Sequence, residues 1–255
     1  MSCYKASGKV FLRKKTLPNQ PFQFLGNAQA VLNTAVEESS VPDYTSVAGG
    51  NACVDKVISK VTLDLTVYDF KPANLAKAVK GTLSIGSLIP VVAEAVNAFT
   101  GELSMLSKLV NLAIPMVVKD NAGVTTYVLG TDYTVEQGGI VVKAGGAIAT
   151  AIAAAVTTPK FVVLKVNYTP TDVDIIEALT QAGDQYEVVI LTQNRADAGK
   201  FGRWDIYTVD FGPTATLNLI TREFGSFQLQ GEALPDPTQG DGVTESTYFT
   251  IATQP

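Results

Sequence analysis

The stretch from Lys60 to Tyr68, Lys-Val-Thr-Leu-Asp-Leu-Thr-Val-Tyr, alternates polar and apolar side chains without interruption. Successive side chains of a β-strand point to opposite faces, so this period of two predicts a strand. One face of it carries Val61, Leu63, Leu65 and Val67, and the other carries Lys60, Thr62, Asp64, Thr66 and Tyr68. We expect the apolar face to lie in a core and the polar face to meet water or a partner.

The composition is that of a large, weakly charged chain. Its 255 residues are 46% hydrophobic and 17% charged, whereas an average soluble domain has about 25% charged residues. We therefore expect much of the surface to be neutral and hidden in an assembly. The formal net charge of −5 argues against binding to nucleic-acid phosphates, which requires clustered Lys and Arg.

Cysteine usage and the apolar segments favour a protein kept in a reducing cytoplasm. Cys3 and Cys53 are too few for a disulfide framework and lack the spacing of metal ligands, so reduced thiols are favoured. The N-terminus has no apolar segment typical of a signal peptide. The apolar stretches at residues 83–99 and 144–156 are interrupted or rich in alanine, so no membrane span is predicted.

Apolar patterning and turn residues predict a first group of elements between the N-terminus and Gly81. These are a strand over Gly8–Lys14, a return strand over Phe22–Val36, an acidic turn-rich loop over Glu37–Asn51, the alternating strand, and a short helix over Leu75–Val79. Gly26 within the return strand marks a bulge or a close backbone approach. Gly81 is predicted as the C′ residue of the helix.

The rest of the chain predicts a β meander and a regular series of strands. We expect a hairpin around Thr100-Gly101, a meander over Pro115–Lys143, a helix or flap over Ala144–Val156, and a strand over Lys160–Tyr168. Further strands are predicted at Gln185–Thr192, Arg203–Phe211, Ala215–Arg222, Ser226–Ala233 and Glu245–Ile251. Their spacing is typical of β-sandwiches and barrels.

The residues that could carry chemistry argue against an enzyme. The chain has no histidine, which removes the commonest general base and the usual zinc ligand. Two groups of carboxylates remain, one at Asp172, Asp174 and Glu177 and one at Asp236, Asp241 and Glu245. The first has part of the spacing of a calcium loop but lacks its glycine, so solvated surface is favoured over a cation site. No catalytic, metal or cofactor residue is predicted.

Two other features have a structural and a functional interpretation. The basic run Arg13-Lys14-Lys15 favours a solvated loop or an ion-pair donor between subunits over a nucleic-acid patch. Trp204 could stack on a sugar, although its alternating strand position favours packing in a core or an interface.

The order of several segments is more informative than any single residue. Phe24-Leu25-Gly26-Asn27-Ala28 precedes the acidic loop, the alternating strand ends in Val67-Tyr68-Asp69-Phe70, and Asn74–Gly81 follows. Later come Tyr127–Val135, Ile206–Leu219, Glu223–Leu234 and Ser246–Ile251. In this order the chain resembles the major tail tube proteins of long-tailed bacteriophages, with Tyr127–Val135 similar to their inserted meander and the last three segments similar to their final sheet.

The resemblance implies a mostly β fold, namely a tail-tube-type β-sandwich or barrel with one or two short flanking helices and a β-rich insertion. It implies a discontinuous core at residues 1–82 and 169–255 and an insertion or outer subdomain at residues 83–168. Six copies per ring, stacked into a tube, would line a lumen with two long hairpins each. Residues Phe22–Val36 and Val54–Phe70 fit one such hairpin.

The resemblance also implies roles for named residues and partners. Thr62, Asp64 and Thr66 are expected to face the lumen, and Glu37, Glu38, Asp43 and Tyr44 are expected in a loop that contacts the adjacent ring. The implied partners are further copies of the chain and the tape measure, tail terminator and baseplate or tail-tip proteins. DNA would pass without specific binding, because acidic lumen residues repel phosphates. No cofactor and no membrane partner are implied, and the implied location is the virion tail, assembled in the host bacterial cytoplasm.

Two alternatives remain open beside the tail tube. One is a β-sandwich that binds carbohydrate or acts as an adhesion module, using Trp204 and surface tyrosines. The other is the related tube of a contractile secretion apparatus.

Overall fold

The computed structural model describes residues 3–45 and 49–255 of the chain. It is mostly β, with 48% of residues in strands and 6% in helices, and its sheets are antiparallel. The predicted fold class is therefore confirmed. The chain divides into two compact units, one of Met1–Leu83 and Ile176–Pro255 and one of Ser84–Ile175. The sequence prediction placed the corresponding boundaries at residues 82/83 and 168/169.

The elements follow one another in three groups along the chain. The first group is β1 (Ala6–Lys14), β2 (Gln23–Phe24), β3 (Ala28–Pro42), β4 (Asn51–Val67), α1 (Pro72–Ala78) and β5 (Thr82–Ile85). The second is β6 (Val91–Ala98), β7 (Leu103–Met105), β8 (Val117–Asp120), β9 (Tyr133–Glu136), β10 (Gly139–Val142), α2 (Ala147–Ala154) and β11 (Val162–Tyr168). The third is β12 (Asp174–Glu177), β13 (Gln185–Asn194), β14 (Lys200–Phe211), β15 (Phe227–Ala233) and β16 (Phe249–Thr253).

The first unit is organised by a large sheet with the strand order β2-β1-β13-β14-β15-β4-β3, to which β16 is added through β14. The alternation of Lys60–Tyr68 is confirmed, because Val61, Leu63, Leu65 and Val67 are at most 3% exposed and the side chains between them are not buried. The buried face of β4 shares one core with Leu12, Val188, Ile206 and Leu229 from other strands of the same sheet. Burial of this apolar surface is the main driving force for folding of the unit.

Helix α1 follows β4 and ends differently from the sequence prediction. Proline at the start of the helix lacks the backbone N–H that would be unsatisfied there. At the other end, Lys80 takes the left-handed conformation with φ 46°. The Gly81 amide donates to the Ala76 carbonyl at 2.7 Å. This is the bond of residue C″ in a Schellman motif, so Lys80, and not Gly81, is the C′ residue.

The second unit has its own core. Two three-stranded sheets, ordered β7-β10-β9 and β6-β11-β8, share this core with α2. Tyr133 is 1% exposed and its hydroxyl donates to the Met116 carbonyl at 3.2 Å. Buried Asp132 accepts from the amide of Ala147, the first residue of α2, at 2.7 Å, which satisfies one of the free amides at a helix start.

Several predicted elements are wrong in detail. No hairpin forms at Thr100-Gly101, because β6 and β7 belong to different sheets. Residues 215–222 form no strand and have only an isolated bridge from Leu217 to Phe227. The return strand is split into β2 and β3 at Gly26, which has φ 93° and whose added Cβ would collide with Asp69. The close neighbour at Gly26 is thus the Asp69 side chain and not another backbone segment.

Candidate assembly surface

The dominant surface feature of the first unit is the long hairpin of β3 and β4. The two strands pair antiparallel from Ala28 opposite Val67 to Pro42 opposite Asn51. Only the half of β4 from Val61 onward has a buried face. The other half, residues 35–42 and 51–60, is exposed on both faces, and we refer to it as the distal hairpin. At the rise of a β-strand it extends for roughly 25 Å.

A β-bulge marks the start of the distal hairpin. Ala35 pairs with Lys60 and Val36 pairs with Ile58, so Ser59 is the extra residue. The Ser59 hydroxyl donates to the Ala35 carbonyl at 3.3 Å. A bulge bends the strand and increases its twist, so it redirects the distal hairpin relative to the core-packed half.

Two residues predicted in the acidic loop lie on a strand instead. Glu37 pairs with Val57, and Glu38 pairs with Lys56 within the β3–β4 ladder. The Lys56 ammonium lies 3.1 Å from the Glu38 carboxylate. The loop prediction for Glu37 and Glu38 is wrong because Glu, Ser and Pro disfavour a strand locally, whereas the ladder with β4 supplies their backbone hydrogen bonds.

Asp43 and Tyr44 lie at the tip of the hairpin, where the turn was predicted. The Asp43 amide donates to the Gly50 carbonyl at 2.9 Å. The Asp43 carboxylate accepts from the Thr45 amide at 2.8 Å and from the Thr45 hydroxyl at 2.6 Å. Tyr44 is 88% exposed. Residues 46–48 of the predicted loop lie outside the described residues.

The distal hairpin exposes apolar side chains on both faces. These side chains are between 48 and 58% exposed and belong to Val36, Val41, Val54, Val57 and Ile58. Paired residues share a face and side chains alternate along β3. Val36 and Ile58 therefore continue the core side, whereas Val41 and Val57 lie on the polar side. A two-stranded hairpin without further packing is marginally stable in water.

The outer edge of β3 is free. This 15-residue strand ends the strand order of the large sheet and, within the described residues, pairs only with β4. A long unpaired edge presents a row of backbone donors and acceptors to which another chain can add a strand. The opposite end of the strand order is β2, which has only two residues.

A polar face covers the outside of the core-packed half of the hairpin and of β15. Thr62 lies between Asn33 and Glu232, Asp64 between Val31 and Gln230, and Thr66 between Gln29 and Gln228. We define the polar face by the side chains of Gln29, Asn33, Thr62, Asp64, Thr66, Gln228, Gln230 and Glu232. The structure thus brings together the three residues that the sequence prediction assigned to a lumen.

The polar face is weakly acidic. The Lys60 ammonium at its border lies 3.2 Å from the Glu232 carboxylate, which neutralises this pair. Asp64 accepts a hydrogen bond from the Asn33 amide at 2.9 Å and has no ion-pair partner among residues 3–45 and 49–255. The face therefore presents amides, hydroxyls and one net negative charge. Such a surface does not condense phosphates, because that requires unpaired Lys or Arg.

The β15 part of the polar face was missed by the sequence prediction. Gln228, Gln230 and Glu232 alternate with apolar or small residues in Phe227–Ala233. This alternation was a sufficient signal for a two-faced strand. It did not indicate β4 as the neighbouring strand, because that pairing joins residues far apart in sequence.

The other candidate residues have structural surroundings. Trp204 is half-buried on β14 between Ile190 and Ile251. In the carboxylate group at residues 236–245, Asp241 accepts from the amides of Val243, Thr244 and Glu245, and these bonds lower its pKa. Among the described residues, no group of three or more acidic residues or cysteines is placed to hold a metal ion.

The described helices are all too short or too polar to cross a membrane. A comparison with curated proteins found no match. The model of the family described as "Protein of unknown function UCP028589" matches residues 3–252. Since this match covers nearly the whole chain, the protein belongs to that family.

Proposed function

We propose that the protein is a structural subunit that assembles into stacked rings and forms the tail tube of a bacteriophage. Two observations carry the proposal: the distal hairpin is exposed on both faces, and β3, the 15-residue strand that forms one side of it, lies at the edge of the sheet. In a monomer this arrangement is marginally stable and prone to aggregation. In a closed ring the hairpin packs against neighbouring copies, so its edge and the apolar side chains on its core side, those of Val36, Val54 and Ile58, are covered.

The polar face gives the proposed tube a suitable lumen. In a closed ring, a face of amides, hydroxyls and one net carboxylate would let DNA slide without being held. Glu37 and Asp55 extend this chemistry along the distal hairpin, because alternation places them on the same side as Asp64. The role of the hairpin tip, with Asp43 and Tyr44, would then be contact with the adjacent ring.

The proposed partners follow from this assembly. They are further copies of the chain, a tape measure protein inside the tube, and terminator and baseplate or tail-tip proteins at its ends. The proposed location is the tail of the virion after assembly in the bacterial cytoplasm. In this proposal, the protein functions through the surfaces by which its copies contact one another, and not through a catalytic centre.

Electron microscopy of the purified protein tests the proposal directly. We expect rings or filaments of uniform diameter in negative stain, and a rise in sedimentation coefficient with protein concentration. Deletion of Ser40–Gly50 removes the hairpin tip and should leave a folded monomer that no longer polymerises. Circular dichroism and thermal unfolding establish that this variant is folded.

A matched pair of surface variants distinguishes a specific subunit contact from non-specific hydrophobic association. Val36→Thr combined with Ile58→Thr removes apolar surface from the core side of the distal hairpin and should weaken assembly at least tenfold. Val124→Thr combined with Val156→Thr changes two valines that are 82 and 99% exposed in the second unit and should leave assembly unchanged. A wild-type protein that stays monomeric at millimolar concentration contradicts the proposal.

A further inference from the structure

A cleft of about 290 Å³ lies beside α1 in the first unit. Its walls include five apolar or aromatic side chains that are buried in the core, those of Leu12, Ala76, Tyr186, Phe211 and Leu229. Its polar lining includes Lys14, Gln23, Lys77, Lys80 and Gln181. An apolar floor with a few polar groups is the usual composition of a small-molecule site, and this volume is at the lower end of such sites.

Most charges around the cleft are already paired within the unit. The Lys14 ammonium lies 2.6 Å from the Asp184 carboxylate, and the Lys80 ammonium lies 3.6 Å from that of Asp210. Arg13 forms an ion pair with Glu187. Among residues 3–45 and 49–255, one cationic group of the cleft lining then has no anionic partner at ion-pair distance.

That group is Lys77 on α1. Its ammonium donates to the Gln23 side-chain carbonyl at 3.1 Å and to the Ala73 backbone carbonyl at 3.3 Å, both of which are neutral acceptors. Burial, and secondly the charge of Lys14, lower the pKa of Lys77. A bound anion would raise the pKa of Lys77 again, because an opposite charge stabilises an ammonium removed from water.

We propose that this cleft binds a small monocarboxylate with an apolar tail, whose carboxylate pairs with Lys77 and whose tail lies on the apolar floor. One unpaired cation matches a single negative charge. The floor of Leu12, Phe211 and Leu229 matches an aliphatic or aromatic tail and disfavours a phosphate ester or a sugar. This site is separate from the polar face and the distal hairpin, so it does not depend on the proposed assembly.

Octanoate is the test ligand, and octanamide is its uncharged counterpart. We expect saturable binding of octanoate by isothermal titration calorimetry, with methyl NMR shifts at Leu12, Leu83 and Leu229 in the cleft wall. Octanamide should bind at least tenfold more weakly, because it lacks the charge-assisted hydrogen bond to the ammonium.

Two variants and a control identify the site. Lys77→Met keeps the aliphatic stem and removes the charge, so it should weaken octanoate at least tenfold and leave octanamide binding unchanged. Ala73→Phe adds a bulky side chain at an exposed position of the cleft wall and should block both ligands. Lys5→Met removes an exposed lysine outside the cleft and should bind octanoate like the wild type. Absent or non-saturable octanoate binding, equal binding by Lys77→Met, or shifts outside the cleft overturn the proposal.

Discussion

At the residue scale, the role proposed for Asp64 depends on the side chains that surround it. It lies in a row between Val31 and Gln230, and Asn33 donates to its carboxylate at 2.9 Å. Lys60, at the border of the polar face, forms an ion pair with Glu232. Asp64 therefore sets the sign of the charge on a face that is otherwise neutral.

Replacing Asp64 with lysine reverses that sign without touching the core. We expect Asp64→Lys to fold and to form rings, because the side chain lies on the outer face of β4. If the protein forms the proposed tail tube, phage carrying this change should lose infectivity at least tenfold although their tails remain intact, since a lumenal cation holds DNA phosphates. Asp172→Lys, at an exposed position of the second unit, is the matched control. Normal DNA ejection by Asp64→Lys tails would contradict the lumenal assignment.

A second residue-scale prediction concerns Asp236 and Lys15, which form an ion pair at 2.6 Å. Asp236 is 5% exposed and also accepts from the Thr238 amide and hydroxyl. The Lys15 and Thr238 bonds lower the pKa of Asp236 to about 2 from its ordinary value of 3.8. The Asp236 carboxylate therefore binds a proton less readily in the folded state than in the unfolded state.

The pH dependence follows from that direction. The stabilisation is fully present above the unfolded pKa and is lost as the pH falls through 3.8 towards 2, a loss of about 2 kcal/mol in the free energy of unfolding. Denaturant unfolding between pH 6 and pH 2 measures it. Asp236→Asn should be less stable at pH 6 by about 2 kcal/mol and should lack this part of the acid dependence. An unchanged acid profile in Asp236→Asn would contradict the assignment to this carboxylate.

At the element scale, the β3–β4 hairpin shows what a sequence can and cannot predict. The core-packed half of β4 was predictable, because its apolar residues from Val61 to Val67 face the core and polar residues alternate with them. This period of two is visible in the sequence itself. The strand at Glu37–Pro42 was not predictable. Its residues have a low strand propensity, and they are extended because their backbones form ladder hydrogen bonds with β4. Conversely, the apolar residues of Ala215–Arg222 predicted a strand, but this segment forms only one isolated β-bridge, from Leu217 to Phe227.

Only the β4 part of the polar face was predictable from the sequence. Thr62, Asp64 and Thr66 were found because they alternate with core residues. The partners that complete their face, from β3 and β15, depend on long-range pairing and register, which no local pattern specifies.

The two halves of the hairpin should differ in dynamics. In the monomer, backbone amides of residues 36–41 and 51–58 are expected to exchange with deuterium at least tenfold faster than those of residues 61–67, because these segments lack a packed face. Assembly should protect the distal hairpin and leave the turn at Asp120–Gly123 unaffected. Hydrogen exchange followed by mass spectrometry, with monomer and assembly compared, measures this. Equal exchange of the distal hairpin in both states would show that it remains uncovered in the assembly.

At the scale of the whole molecule, the chain contains two cores built from separate sets of residues. The core of the first unit includes Leu63, Val209 and Phe227, and that of the second includes Tyr133, Ile140 and Leu164. The second unit interrupts the first in sequence. Its first and last residues, Ser84 and Ile175, lie within β5 and β12, which pair with each other in a two-stranded sheet. An insertion whose ends lie on paired strands can be removed without separating the segments that flank it.

The units should therefore be separable. Residues 84–175 expressed alone are expected to unfold in one cooperative transition, because their core is complete within that range. A chain in which a short Gly-Ser linker replaces residues 84–175 should keep the first unit folded and still form rings, since the distal hairpin and the polar face both belong to that unit. Calorimetry and negative-stain microscopy measure the two outcomes. A folded linker variant that forms no rings would assign part of the assembly surface to the second unit, and in that case the hairpin alone would not be sufficient for the proposed tube.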